Sequence, residues 1–285
     1  MTASPNNCPS KGNSSIAQAC VITFLGNASN NLQQDAFFFL DHWYQEDLGV
    51  MAVTPVASPF CLAVSDGVAS SNRSQHCSKA VVKAIRRLWN DQKNISSDSI
   101  HHLINQTKHS SKRHGAAATL AMVVGELDND GIVKATITHV GDSRVYRLPK
   151  GASQWQCLTR DHNLLNELID QQAHEQGRQA EFADYNLEGM AGSLYSITEC
   201  FALTTDDSYT SSEAPESNSR KIDINSGDCI LVCTDGIHDL VPSHEWQLIS
   251  AETDLQNWLI TLKNQVYDSD GNAYDNGTAI LVRFV

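Results

Sequence analysis

Cys61–Gly67 reads C-L-A-V-S-D-G, an apolar run that stops on a carboxylate and a glycine. Such a run is best read as a buried strand that carries Asp66 out of a hydrophobic interior to its rim, where Gly67 lets the backbone turn tightly. The same grammar recurs at Cys229–Gly236, C-I-L-V-C-T-D-G, with Asp235 and Gly236 in the terminal positions. Ile137–Arg144, I-T-H-V-G-D-S-R, sets Asp142 in a Gly-Asp turn between two alternating strands, and Asp275-Asn276 precedes the last apolar run. Carboxylates gathered at strand ends on one rim of a sheet are what a hard divalent cation needs. The working expectation is an oxygen-ligand, multi-metal hydrolase.

The chain has 285 residues, a formal net charge of −13 and a pI near 5.2. Its length is enough for one large core, and a single domain over 16–285 is expected, preceded by a Ser-, Asn- and Pro-rich disordered leader over 1–15. No Lys/Arg cluster is longer than Arg86-Arg87 or Lys112-Arg113, which argues against nucleic acid as a partner. An acidic surface repels phosphorylated ligands at long range, so phosphate chemistry here would depend on local cations. The eight cysteines form no C-x-x-C pair, and most lie in apolar runs, as small core residues do in a reducing compartment. Ile16–Leu25 has the length of a signal h-region but carries Gln18 and alternates like a strand. No stretch approaches the roughly 18 apolar residues of a membrane span. A cytoplasmic protein that does not enter the membrane is expected.

Along the chain, strands are expected at 16–24, 36–40 and up to Asp66, and helices at 74–94 and from about 99. The first helix carries Cys77, Ala80, Val81, Ala84, Ile85, Leu88 and Trp89 at helical spacing. His101, His102, His109 and His114 have no carboxylate or cysteine at ligand spacing and read as a solvated face. A hairpin turn is expected at Asp128–Gly131 and a second hairpin around Gly141-Asp142. A helix is expected over 159–173, with Leu164, Leu165, Leu168 and Ile169 apolar. The pattern loosens over 174–225, and Thr204–Ser219 is acidic and Ser/Thr-rich, which suggests a mobile insertion. A helix over about 254–267 would open on a Thr253-x-x-Gln256 capping box, and 279–285 closes the chain as a buried strand. Asp268–Asn272 superficially suggests a calcium loop, but its glycine and its twelfth position are wrong for one. The fold class is α+β and strand-rich.

Taken in order, the candidate ligands are Asp35, Asp66 with the Gly67 carbonyl, Asp142, Asp235, Asp239 and Asp275. Such oxygen donors select Mg2+ or Mn2+ over zinc. The ordered series Q-D-A-F-F-F, V-S-D-G, G-A-A-A-T, H-V-G-D-S-R-V-Y, L-T-R-D-H-N, L-V-C-T-D-G-I-H-D and D-N-G-T-A resembles the metal-dependent serine/threonine protein phosphatases of type 2C, over residues from about 20 to 285. The resemblance implies a four-layer α/β/β/α sandwich of two antiparallel sheets between pairs of helices, with a dimetal cleft at one end. It implies Asp66 as the metal-bridging aspartate, Gly67 as a carbonyl ligand, Asp235 and Asp275 as ligands of the first metal, and Asp35 as the aspartate of the N-terminal motif. Asp142 and Asp239 match the positions of a third, weaker metal, and 174–225 falls where the family carries its flap. The implied chemistry is in-line attack on phosphorus by a dimetal-activated water, with no side-chain nucleophile, on a phosphoprotein made by a Ser/Thr kinase. A monomer is expected.

The chain departs from the family at two places. Many members carry an arginine shortly before the Asp35 motif to hold the substrate phosphate, and Gly26–Leu32 has none. Arg73, shortly after Asp66-Gly67, is the candidate substitute. After V-S-D-G the chain reads V-A-S-S where bacterial members usually have M-G-G. A phosphatase-like regulatory or binding module with weak or no turnover is therefore the alternative, and a two-metal phosphoesterase acting on small molecules is a third reading.

Overall fold

The structure, a computed structural model, describes residues 15–27, 32–106, 110–180, 192–204, 213–268 and 270–285. The expected 1–15 leader apart from Ser15, the histidine at 109 and much of the acidic 204–219 segment lie outside the described residues.

The first half of the chain forms β1 (Ala17–Phe24), β2 (Ala36–Phe39), β3 (His42–Tyr44), β4 (Gly49–Val50), β5 (Thr54–Val56), β6 (Phe60–Ser65), α1 (Gln75–Asn90), α2 (Ser97–Asn105), β7 (Ala117–Ala118), β8 (Leu120–Leu127) and β9 (Val133–Val140). The second half adds β10 (Arg144–Leu148), β11 (Gln156–Cys157), α3 (Leu164–Glu175), β12 (Phe201–Ala202), β13 (Asn218–Ile224), β14 (Cys229–Cys233), α4 (Asp235–His238), α5 (Leu255–Val266) and β15 (Gly277–Phe284). One antiparallel sheet runs β11-β10-β14-β15-β1-β4, with β5 also on β1. The other runs β13-β9-β8-β6-β2-β3.

Strand alternation shows why both faces of each sheet are apolar. From β1, Ala17, Ala19 and Val21, with Ile280 of the neighbouring β15, face the opposite sheet, where they meet Leu62, Val64 and Val123. The intervening Cys20, Ile22 and Phe24 face Trp258, Leu259 and Leu262 of α5. On the other sheet, Phe38, Ala63 and Met122 turn outward against Val81, Ile85 and Leu88 of α1 and Ile100 of α2. Three apolar layers separate four layers of structure, which is the expected α/β/β/α sandwich. Trp155 and Trp246, in less regular stretches, join the α5 side of the core.

Several local expectations are corrected. Gly141-Asp142 does not close a hairpin: β9 pairs with β8 and β13 in one sheet, whereas β10 pairs with β14 and β11 in the other. The alternating pattern continues across Gly141, so the change of sheet leaves no mark in hydropathy. Residues 218–224, taken with the loosened 174–225 stretch, form a full edge strand on β9. Its polar exposed side chains hide it. The helix expected from 159 begins at Leu164, and Leu164 and Leu168 are exposed while Leu165 and Ile169 are buried. α5 is capped by Asp254, whose side chain accepts from the backbone of Gln256 and Asn257, rather than by Thr253. His101 is buried, not solvated.

Leu62 lies fully buried between the sheets. Leu62→Ala is expected to cost about 3 kcal/mol, read as a lower urea midpoint with an unchanged m value. A loss below about 1 kcal/mol would show that the inter-sheet layer is not tightly packed.

Candidate metal centre

The register of the strands brings the acids together. Ala36 pairs with Ser65, so Asp35, entering β2, lies beside Asp66, leaving β6. In the other sheet Cys233 pairs with Ala279 and with Arg144, which sets the residues leaving β14, entering β15 and entering β10 at the same end. Asp235, Asp275 and Asp142 occupy those positions. Carboxylate oxygens of Asp66, Asp142 and Asp235 lie within 4.8 Å of one another. Both sheets therefore deliver aspartates to one point, and Asp142 stands where the chain crosses between them.

Hydroxyls and amides around the acids fix the strand ends. The Asp66 backbone N–H donates to Thr119 Oγ1 (3.1 Å), and Thr119 N–H donates to the Asp66 carbonyl (2.8 Å). Thr119 Oγ1 also lies 2.7 Å from Ser143 Oγ, which ties the Asp66 turn to the Asp142 crossing. Thr234 Oγ1 donates to Asp35 Oδ2 at 2.9 Å across the gap between sheets. Asn276 accepts from Gly26 N–H (2.9 Å) and donates to the Leu32 carbonyl (2.9 Å), so the last acidic loop holds the first one in place. Gly236 is required for this: a Cβ there would sit 1.9 Å from the Asn276 carbonyl oxygen. At Gly67 a Cβ would sit 2.8 Å from Ser74 at the start of α1. Thr119, Ser143, Thr234 and Asn276 were given no role in the sequence reading, although all four stand inside the motifs that carry the resemblance.

The carboxylates are held in protonation states that water would not give them. Burial raises Asp66 well above the usual range, and the charges of Asp235, Asp35 and Asp142 add to the effect. Burial also raises Asp235 well above it, with Asp142, Asp239 and Asp275 adding. Asp142 is pushed to about 7, first by burial and then by Asp161 and Asp239. Burial lifts Asp35 to about 6, against hydrogen bonds from its neighbours, and burial is likewise the main cause of the upward shift at the half-buried Asp275. Asp239 behaves differently: its side chain is exposed, and His238 and Arg144 hold it low. His238 Nδ1 lies 3.1 Å from Asp239 Oδ1 and its Nε2 lies 3.2 Å from the Asp142 carbonyl. Arg144 is engaged by both oxygens of Asp161, at 2.8 and 2.6 Å.

This donor set fits a hard divalent cation. Asp35 Oδ1 and Asp142 Oδ1 are buried with no hydrogen-bond donor against them, which is costly unless a cation takes the lone pairs. All the grouped donors are oxygens, as Mg2+ and Mn2+ prefer. Arg73, exposed with φ 59° on the loop between Gly67 and α1, makes no contact with these carboxylates among the described residues. His162 also stays outside the cluster. Its Nδ1 accepts from Gly141 N–H (3.0 Å), and its ring stacks on His139. Cys61 and Cys233 are no nucleophiles, since burial raises both thiols.

A family model described as Protein phosphatase 2C matches residues 28–268. No curated protein sequence matches the chain. Among solved structures, the chain is similar to the serine/threonine phosphatase Stp1 from Staphylococcus aureus, at 18% identity and TM-score 0.63, covering 94% of each chain. It is similar to the Mycobacterium tuberculosis serine/threonine phosphatase PstP/Ppp at 17% identity and TM-score 0.62, covering 94% of this chain and 99% of that one. It is also similar to the catalytic domain of serine threonine protein phosphatase PstP in complex with 2 manganese ions, at 18% identity and TM-score 0.60, covering 95% and 100%. At these identities the likeness is one of fold.

Raised carboxylate pKa values mean that the folded, metal-free chain binds more protons than the unfolded one, so its stability falls as pH rises. The window runs from about pH 4, where unfolded aspartates titrate, through the values near 6 and 7 of Asp35 and Asp142. Chemical denaturation in EDTA should therefore give lower stability at pH 7.5 than at pH 5.5. Millimolar Mn2+ should restore the difference at pH 7.5. Equal stability at both pH values without metal would contradict the raised carboxylate pKa values.

Proposed function

The chain belongs to the protein phosphatase 2C family, and from that premise we propose which of its residues carry the family's chemistry. It is a metal-dependent protein serine/threonine phosphatase acting on phosphorylated proteins, with Mn2+ or Mg2+ as cofactor. When bound, the two ions supply Lewis acidity: they lower the pKa of a water for in-line attack on phosphorus and neutralise charge growing on the phosphoryl oxygens.

Asp66 would be the ligand shared by the two ions, since its carboxylate lies with those of Asp35, Asp142 and Asp235. Asp35, the Gly67 carbonyl, Asp235 and Asp275 would complete the pair's ligands, and Asp142 with Asp239 would offer a weaker third position. Thr119 and Thr234 orient the ligands by hydrogen bonds to the backbone of Asp66 and the carboxylate of Asp35. Arg73 is the proposed partner of the substrate phosphate, being the cation nearest in sequence to the Asp66-Gly67 turn. The observation that carries this reading is the convergence of aspartates from both sheets with two buried oxygens unpartnered.

The finer proposal is a single catalytic domain over 16–285, with a flap within about 174–225. It would act as a monomer in the cytoplasm to reverse a Ser/Thr kinase. Buried free thiols suit a reducing compartment, and no helix among the described residues is long and apolar enough to cross a membrane. The absence of an arginine in 26–32 favours, as the second reading, a module of weak turnover.

Asp66→Asn is expected to lower Mn2+-dependent hydrolysis of a phosphothreonine peptide by at least about a thousandfold, while the metal-free variant is more stable than wild type at pH 7.5. Wild-type turnover in that variant would remove Asp66 from the centre. Arg73→Ala should raise KM about tenfold with little change in kcat, as expected for loss of one charge-assisted contact. An unchanged KM would leave the phosphate without this partner. Failure of folded wild-type protein to turn over with any divalent metal would favour the second reading.

A further inference from the structure

Between Asp66 and Asp91 the chain contains no acidic residue, yet five of its 20 lysines and arginines fall there: Arg73, Lys79, Lys83, Arg86 and Arg87. In a molecule of net charge −13 this is a local reversal of sign. At 100° per residue, Lys79, Lys83, Arg86 and Arg87 fall within one third of the α1 circumference, opposite the Val81, Ile85 and Leu88 face packed on the sheet. Lys83 and Arg87 are exposed, and Lys79 and Arg86 are half-buried. Among the described residues no carboxylate pairs with any of these five side chains, and Arg86 Nε is buried without a partner.

The track has a fixed origin and a fixed edge. α1 starts at the rim of the metal centre: Ser74 Oγ accepts from Gln34 Nε2 at 2.7 Å, and Ser74 fills the space beside Gly67. From there the helix runs 16 residues, about 24 Å, away from the cleft. Trp43 of the edge strand β3 lies alongside, with Lys79 Nζ 5.5 Å and Lys83 Nζ 4.9 Å from its ring centroid. Cation–π contacts of this kind hold ammonium groups in place without neutralising them. The acids bordering this face are occupied locally. Asp41 accepts from Trp89 Nε1 (2.6 Å), Glu46 from Gln45 N–H (3.0 Å), and Asp47 from Gly49 N–H (3.4 Å).

We propose that the exposed face of α1 is a substrate-docking track, along which an acidic stretch flanking the phosphorylated residue lies once that residue is in the metal cleft. The proposal rests on the phosphatase reading above and adds a substrate class: phosphoproteins whose phosphosite is followed or preceded by several Asp or Glu residues. A basic or neutral flank finds no partner on this face. The net charge of the molecule disfavours an acidic ligand at a distance, so the attraction is felt only within about 10 Å of the helix at ordinary salt. Selection therefore shows in KM and is sensitive to ionic strength.

The test uses the full chain with Mn2+, para-nitrophenyl phosphate and phosphothreonine peptides that share a core but carry four glutamates or four glutamines on one flank. Expected at low salt is a kcat/KM about tenfold higher for a glutamate peptide, chiefly through KM, shrinking towards parity at 0.5 M salt. The double reversal Lys83→Glu/Arg87→Glu should abolish the preference while para-nitrophenyl phosphate turnover stays at the wild-type level. Equal kcat/KM for both peptides at low salt, or a preference that survives the reversal, overturns the track and leaves the metal centre standing. Absence of turnover of every substrate by folded protein counts instead against the phosphatase reading. Fluorescence anisotropy of the labelled, unphosphorylated glutamate peptide on metal-free protein then decides the track. Salt-sensitive binding lost in the double variant supports it, and no binding overturns it.

Discussion

Burial of carboxylates beside one another is the constraint around which this molecule is built. Asp35, Asp66, Asp142, Asp235 and Asp275 would each be more comfortable in water, and the fold spends hydrophobic burial to hold them together. Their shifted protonation is the mark of that cost. The three apolar layers on either side of and between the sheets supply the rigidity that keeps the strand ends from relaxing apart. A cation is the natural relief for such an arrangement, so binding and folding are linked at the same few atoms.

The sandwich suits this task because its two sheets are separate but share an open end. Each sheet can present adjacent strand termini at fixed spacing, and the gap between sheets is spanned by few groups: the Thr234–Asp35 hydrogen bond, the Thr119–Ser143 contact and the backbone crossing at Gly141-Asp142. These are short, directional links, and together with the packing between the sheets they set the distance between acids from opposite sheets. Close approach does the rest. Where Gly236 meets Asn276 there is no room for a methyl group, and the two acidic loops of that sheet lie in contact.

Much of this was legible in the sequence because it follows from local grammar. An apolar run ended by Asp-Gly is both a buried strand and its exit, and Asp66 and Asp235 were readable on that basis alone. Asp142 was readable as a candidate ligand but not as the crossing between sheets, since alternation in β9 and β10 is the same whether they pair with each other or not. β13 was hidden because an exposed edge strand need not be apolar on either face. His101 was misplaced for a related reason: burial of one polar residue on an amphipathic helix depends on what packs over it, which no period reveals. Thr119, Thr234 and Asn276 carry no pattern beyond their place beside the acids. The cap of α5 moved from Thr253 to Asp254 because adjacent residues of similar capping strength compete by backbone geometry.

Placement of β15 between β1 and β14 carries a consequence for how the molecule comes into being. Strand β1 reaches its full register only against residues 277–284, and the Asp35 loop is held by Asn276. During synthesis the nascent chain displays Asp35 and Asp66 long before these partners emerge, with β1 and β14 lacking the strand that joins them. Closing so long a loop is slow, and until it closes the acids from the two sheets have no reason to meet. A fragment that stops short of residues 276–284 therefore has neither the strand that joins β1 to β14 nor the side chain that holds the Asp35 loop.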